Sequence, residues 1–121
     1  MEDVLFKHIE NTGDIQYVCV SGYFTGAKQS PTDLFIIGMV DERKLEIFAH
    51  RIETQINREI SYTPMTMNEY QYRLNFNDMF LRQLFSGSYK ELINKLPRDM
   101  QPHEVVKRSS KSIIRDSVVA P

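Results

Sequence analysis

Short apolar runs alternate with clusters of turn formers along the chain. Val4, Leu5, His8 and Ile9 recur at helical spacing, with Glu2 and Asp3 in a first turn where the helix dipole favours acids, so residues 2–10 predict a short helix. Asn11-Thr12-Gly13-Asp14 is a turn cluster, and Ile15–Val20, rich in β-branched and aromatic residues, predicts a strand. Asp33–Val40 is almost entirely apolar, the mark of a strand covered on both faces and placed mid-sheet. Asp41 can cap the next helix, in which Leu45, Phe48, Ala49, Ile52 and Ile56 form one apolar stripe.

Glu59–Thr63 alternates like a strand and ends at Pro64, which cannot donate to a ladder. Thr66-Met67-Asn68-Glu69 matches a capping box and predicts a short helix with Tyr70 and Leu74 inward. After a break at residues 75–78, Phe80, Leu81, Leu84 and Phe85 predict a further amphipathic helix, stopped at Ser86-Gly87 by a glycine C-cap. Tyr89–Leu96 fits either period and is read as a last edge strand. From Pro97 onward the prolines, serines and scattered charges predict a mobile tail or a partner-dependent helix over residues 97–121. The order implies one α/β domain over residues 1–96, a mixed β-sheet with helices packed on it.

Composition narrows the class. A chain of 121 residues, 41% hydrophobic and 26% charged, suits a single globular domain that needs no disulfide or structural metal. Its one cysteine, Cys19, lies in an apolar run and reads as a buried thiol, not as part of a disulfide framework or a thiolate metal site. No window approaches the about 18 consecutive apolar residues of a membrane span, and no basic region leads into an apolar stretch at the N-terminus. The expectation is therefore a cytoplasmic protein without a membrane partner. A formal charge of −1 disfavours autonomous grip on nucleic-acid phosphates, so DNA is expected only indirectly.

Candidate chemistry concentrates between the first two strands, in Ser21-Gly22-Tyr23-Phe24-Thr25-Gly26-Ala27-Lys28-Gln29-Ser30-Pro31-Thr32-Asp33. Glycines at 22 and 26 allow a sharp turn and close approach of backbone to a ligand, as a phosphate-cradling loop requires. Glycine spacing alone equally describes a plain loop joining two strands.

The whole order of features resembles the nucleotidyltransferase superfamily domain of small bacterial and archaeal proteins, in which a strand, Gly-Ser, a turn to a second Gly and Ser-Asp-x-Asp-Leu open an apolar strand ending in Gly. The resemblance runs from residue 4 to about residue 96. It is especially close to versions fused to, or encoded with, winged-helix transcription regulators, whose later parts look like the stretch from Glu42 to Phe85. It implies a nucleotide-binding loop at Ser21, Gly22, Tyr23, Gly26 and Ser30. It also implies a pair of divalent metals held by three carboxylates, which in phosphoryl transfer stabilise the attacking and leaving oxygens.

Carried over residue by residue, the motif degrades. Ser21-Gly22 inverts the family's Gly-Ser, Pro31 stands at the first metal aspartate, and Asp33 keeps the second. The third carboxylate falls near Ser61, with Glu59 a possible stand-in. Loss of one transition-state stabilising group costs about 10²–10³ in rate, and at least two are missing. The resemblance thus implies a non-catalytic module with a regulatory or binding role, without a cofactor, partnered by a regulator, another protein or its own copies. The alternative is an active transferase moving a nucleoside monophosphate to a protein or small-molecule hydroxyl, using Mg²⁺ with Asp33 and Glu59. A further reading makes the chain the C-terminal piece of a transcription regulator. Asp33 also has a simpler reading, a strand-start carboxylate bonded to loop amides.

Other residues carry less. His8, His50 and His103 are too dispersed for a metal cluster or triad. Met65, Met67, Tyr70, Tyr72, Phe76, Phe80 and Phe85 read as core. Lys107, Arg108, Lys111 and Arg115 make a mildly basic stripe, read as solvated linker or as a segment that orders on a partner.

Overall fold

Leu34 to Ile37 each lack solvent exposure, so the strand that holds them must be covered on both faces. The computed structural model, which describes residues 2–107, meets that demand with a four-stranded mixed sheet. Strands β1 (Gly13–Val20), β2 (Leu34–Val40), β3 (Tyr62–Met65) and β4 (Lys90–Asn94) lie in the order β3-β2-β1-β4. β1 pairs antiparallel with both β2 and β4, and β2 pairs parallel with β3. Helix α2 (Glu42–Ile56) provides the crossover that two parallel strands require.

Each face of the sheet has its own layer. Leu34 and Ile36 pack with Val18, Val20 and the α2 residues Leu45, Phe48, Ala49 and Ile52, joined by Phe6 and Ile9. Phe35 and Ile37 face the other way, onto Tyr70 and Leu74 of α3 (Met67–Asn75) and Leu81, Leu84 and Phe85 of α4 (Met79–Ser86). β1 serves both layers by alternation from Tyr17 to Val20, and a bulge before Tyr17 changes the face of Ile15. Ile15 pairs with Gly38 and Tyr17 with Ile37, leaving Gln16 as an extra residue. Ile15 therefore sits in the α2 layer while Tyr17 and Cys19 sit in the other, although strict alternation would give Ile15 and Tyr17 one face.

The helix starts follow the capping residues. Asp41 accepts from the Lys44 amide at 3.0 Å, Thr66 from the Glu69 amide at 3.0 Å, and Asp78 from the Leu81 amide at 3.0 Å. Each such cap contributes about 1 kcal/mol. Arg73 ties α3 to the start of α4, reaching Glu69 at 3.1 Å and Asp78 at 3.2 Å.

Several expected elements differ in extent. The predicted helix over residues 2–10 is only α1 (Glu2–Leu5), because His8 turns left-handed at φ 70° and the chain continues as a 3₁₀ turn over Ile9–Thr12. So short a helix cannot sustain itself, and the buried Phe6 and Ile9, not Val4, hold the segment down. The strand expected over residues 59–63 begins at Tyr62 and runs through Pro64. Ile60 is held back by its amide donating to Glu53 Oε2 at 2.9 Å, and an edge strand tolerates Pro64. Gly87 ends α4 in extended geometry, at φ −97°, in place of the left-handed cap. Tyr72 and Phe76, read as core, are exposed and stack on each other at 4.7 Å.

The core also passes the boundary set at residue 96. Met100 and Val105 are buried in the α3–α4 layer, within a 3₁₀ turn (Arg98–Met100) and a helical segment over residues 102–107. Tyr70 donates its hydroxyl to the Met100 carbonyl at 2.6 Å. Asn94 and Gln101 exchange amide hydrogen bonds at 2.6 and 3.1 Å, fastening this segment to β4. A polar-looking sequence hides this, since only two or three apolar side chains are needed to close one end of a layer. Arg108, Lys111 and Arg115 of the basic stripe lie outside the described residues. No helix among the described residues is long and apolar enough to cross a membrane.

If residues 98–105 are core, Met100→Ala lowers the unfolding free energy by about 2–4 kcal/mol in urea titration. A solvated tail would give a change within about 0.5 kcal/mol.

Candidate functional site

The loop from Ser21 to Thr32 leaves β1 and returns at the start of β2, and Asp33 closes it. Asp33 Oδ1 accepts from the Tyr23 amide at 2.8 Å. Its Oδ2 accepts from the Ser61 amide at 2.9 Å and the Ser61 hydroxyl at 3.3 Å. Three of the roughly four acceptor positions of a carboxylate are thereby occupied. The main chain reinforces the junction, with the Ser21 amide donating to the Asp33 carbonyl at 2.9 Å and the Asp33 amide to the Ser61 carbonyl at 3.1 Å.

Gly22 makes this closeness possible. Its φ is 56°, and a Cβ there would stand 2.2 Å from Asp33 Oδ1. Gly26 is also left-handed, at φ 73°, but faces open space. Ser21 is buried and donates its hydroxyl to the Ser88 carbonyl at 2.7 Å, and Thr25 donates to the same oxygen at 2.9 Å. The Ser21 hydroxyl thus braces the loop against the end of α4. Ser30 donates to the Thr32 carbonyl at 2.8 Å, and Thr32 is buried with its hydroxyl donating to Leu34 and accepting from Thr63 at 3.0 Å. Tyr23 is exposed, and the Arg58 guanidinium lies 4.3 Å from its ring centroid.

The structure thus brings Ser21, Gly22, Tyr23, Asp33 and Ser61 together, with Ser30 a short step away along the loop. Glu59 is exposed, and its side chain makes no hydrogen bond or ion pair among the described residues. Among those residues, no group of three or more His, Cys, Asp or Glu side chains is placed to hold a metal ion. The exposed His50 and His103 lie 3.9 and 3.8 Å from Glu53 and Glu104, on separate elements. No local signal in the sequence marks Ser88 and Arg58 for this site: one contributes a backbone carbonyl, the other a cation at a turn.

No family model, curated protein or solved structure matches the chain.

A second polar group lies under β4. Tyr17 donates to Glu91 Oε2 at 2.7 Å, and Asn94 donates to Glu91 Oε1 at 3.2 Å. Burial, then Cys19 and the Glu91 carboxylate, pushes the Tyr17 phenol far above its ordinary range. Burial likewise pushes the Cys19 thiol from 9.0 up to about 12. Such a thiol stays protonated and inert, in keeping with its place in the core.

Two predictions follow from this geometry. Gly26→Ala costs about 1 kcal/mol for its left-handed backbone, whereas Gly22→Ala costs about 2–4 kcal/mol because it also displaces Asp33; chemical denaturation separates the two. For Cys19, the unfolded chain releases its thiol proton from about pH 9 while the folded chain holds it to about pH 12. Its contribution is full below that interval and is lost as pH rises through it. Urea midpoints measured across the interval fall with pH, and Cys19→Ala shows a shallower fall.

Proposed function

We propose that the chain is a non-catalytic module built on a nucleotidyltransferase-type scaffold, acting in the cytoplasm as a binding or regulatory partner of another protein, of its own copies or of a transcription regulator. DNA enters only through that regulator. The observation that carries the reading is the contact between Asp33 and Ser61. The resemblance puts a third metal carboxylate near position 61, and Ser61 lies directly beside Asp33. A serine there donates a hydrogen bond to Asp33 instead of adding a second negative charge.

The loop supports the same reading. The Tyr23 and Ser61 amides are bonded to a carboxylate from within the chain and so are not free for a phosphate oxygen. The hydroxyl of Ser21 is directed to Ser88, and Pro31 offers no ligand. Magnesium exchanges its waters for clustered carboxylates and phosphates, and one aspartate with most of its acceptor positions filled is a poor site.

The test pairs calorimetric titration of nucleoside triphosphates in Mg²⁺ with a nucleotide-incorporation assay on protein substrates. The expected outcome is no incorporation, with Asp33→Ala lowering the unfolding free energy by about 1–3 kcal/mol as the Tyr23 and Ser61 amides lose their acceptor. Turnover that Asp33→Ala or Glu59→Gln abolishes would overturn the proposal in favour of an active transferase.

A further inference from the structure

A cleft of about 370 Å³ opens between α2 and the Ile9–Thr12 turn, on the side of the sheet that α2 covers. It is lined by His8, Asn11, Lys44, Ile47, Phe48 and Arg51 together with Thr12, and no acid is among these lining residues. Lys44, Ile47, Phe48 and Arg51 recur at helical spacing, which sets them in one stripe with a cation at either end, about 10 Å apart along the axis. Between the cations the floor is apolar: Phe48 is buried beneath it, whereas Ile47 is 54% exposed although it is a large aliphatic side chain.

Charge is sorted around α2. Glu46 and Glu53 line a neighbouring cleft with His50 that shares Ile47 with the first, and no acid lines the first. Among the described residues Lys44, Arg51 and His8 make no ion pair, although the chain as a whole carries a net charge of −1. His8 reaches the rim from a left-handed backbone at φ 70°, a conformation that costs a non-glycine residue energy and that places it across from the α2 stripe. An apolar floor with a few convergent polar groups at its rim is the usual make-up of a small-molecule site, and the volume lies in the usual range.

We propose that this cleft binds a small organic anion, with an aromatic or short aliphatic body on Ile47 and Phe48 and a carboxylate, sulfonate or phosphate head within reach of Lys44, Arg51 and His8. The site shares no residue with the Asp33 loop, so it stands whether or not the loop reading does.

The experiment titrates the full chain with naphthalene-1-sulfonate and follows backbone amide shifts by NMR. Saturable shifts at Asn11, Ile47 and Arg51 are expected. The double substitution Lys44→Glu with Arg51→Glu weakens binding roughly tenfold or more, as loss of a charge-assisted contact does, while Lys95→Glu, elsewhere on the surface, leaves it unchanged. The uncharged 1-naphthalenemethanol binds more weakly by a similar factor. Shifts confined to the exposed Tyr72–Met79 surface, equal affinity for the alcohol, or indifference to the double substitution would each overturn the proposal. Retained amide dispersion in the double variant shows that it still folds, so lost binding reports on the cleft.

Discussion

Leu34, Phe35, Ile36 and Ile37 point alternately to opposite faces of the sheet and none is exposed. Each such burial contributes about 1.5–3 kcal/mol, and it is available only if a helical layer covers each face. The rest of the architecture answers that constraint. α2 closes one side and supplies the crossover to β3; α3, α4 and residues 98–105 close the other. β1 serves both layers by alternation, and the Gln16 bulge turns Ile15 into the α2 layer.

The same strand positions the candidate site. Asp33 immediately precedes β2, so its carboxylate is held where the loop, the strand and the segment entering β3 converge. A carboxylate with three donors is a structural clasp: it ties the Tyr23 and Ser61 amides to the start of β2 at the end of the sheet. Clasping and catalysis compete for the same lone pairs. The loop is braced further by Ser88, which accepts from both Ser21 and Thr25 at the far end of α4.

The strongly periodic segments were legible. Asp33–Val40, the α2 stripe and the Thr66 capping box each combine local chemistry with burial, so pattern and structure agree at Leu34, Thr66, Leu45 and Ile52. The resemblance singles out Asp33 and the neighbourhood of Ser61, but nothing in the sequence tells that the two share hydrogen bonds. Segments held by distant contacts are less legible: residues 2–10 carry a helical spacing that only Glu2–Leu5 realise, and no local pattern marks Met100 and Val105 as core.

Sequence by itself determined that β2 is a doubly covered strand and that α2 is amphipathic, because those properties reside in the spacing of side chains along one segment. It also determined that positions 31 and 61 bear no carboxylate, since Pro31 and Ser61 stand there. Tertiary structure alone decided that Gln16 is the bulged residue, that Asp33 clasps Tyr23 and Ser61, and that cations from α2 meet His8 across a cleft. Those outcomes depend on pairs of residues far apart in the chain. Their partners are chosen by how two covered sheet faces close, which no local pattern encodes.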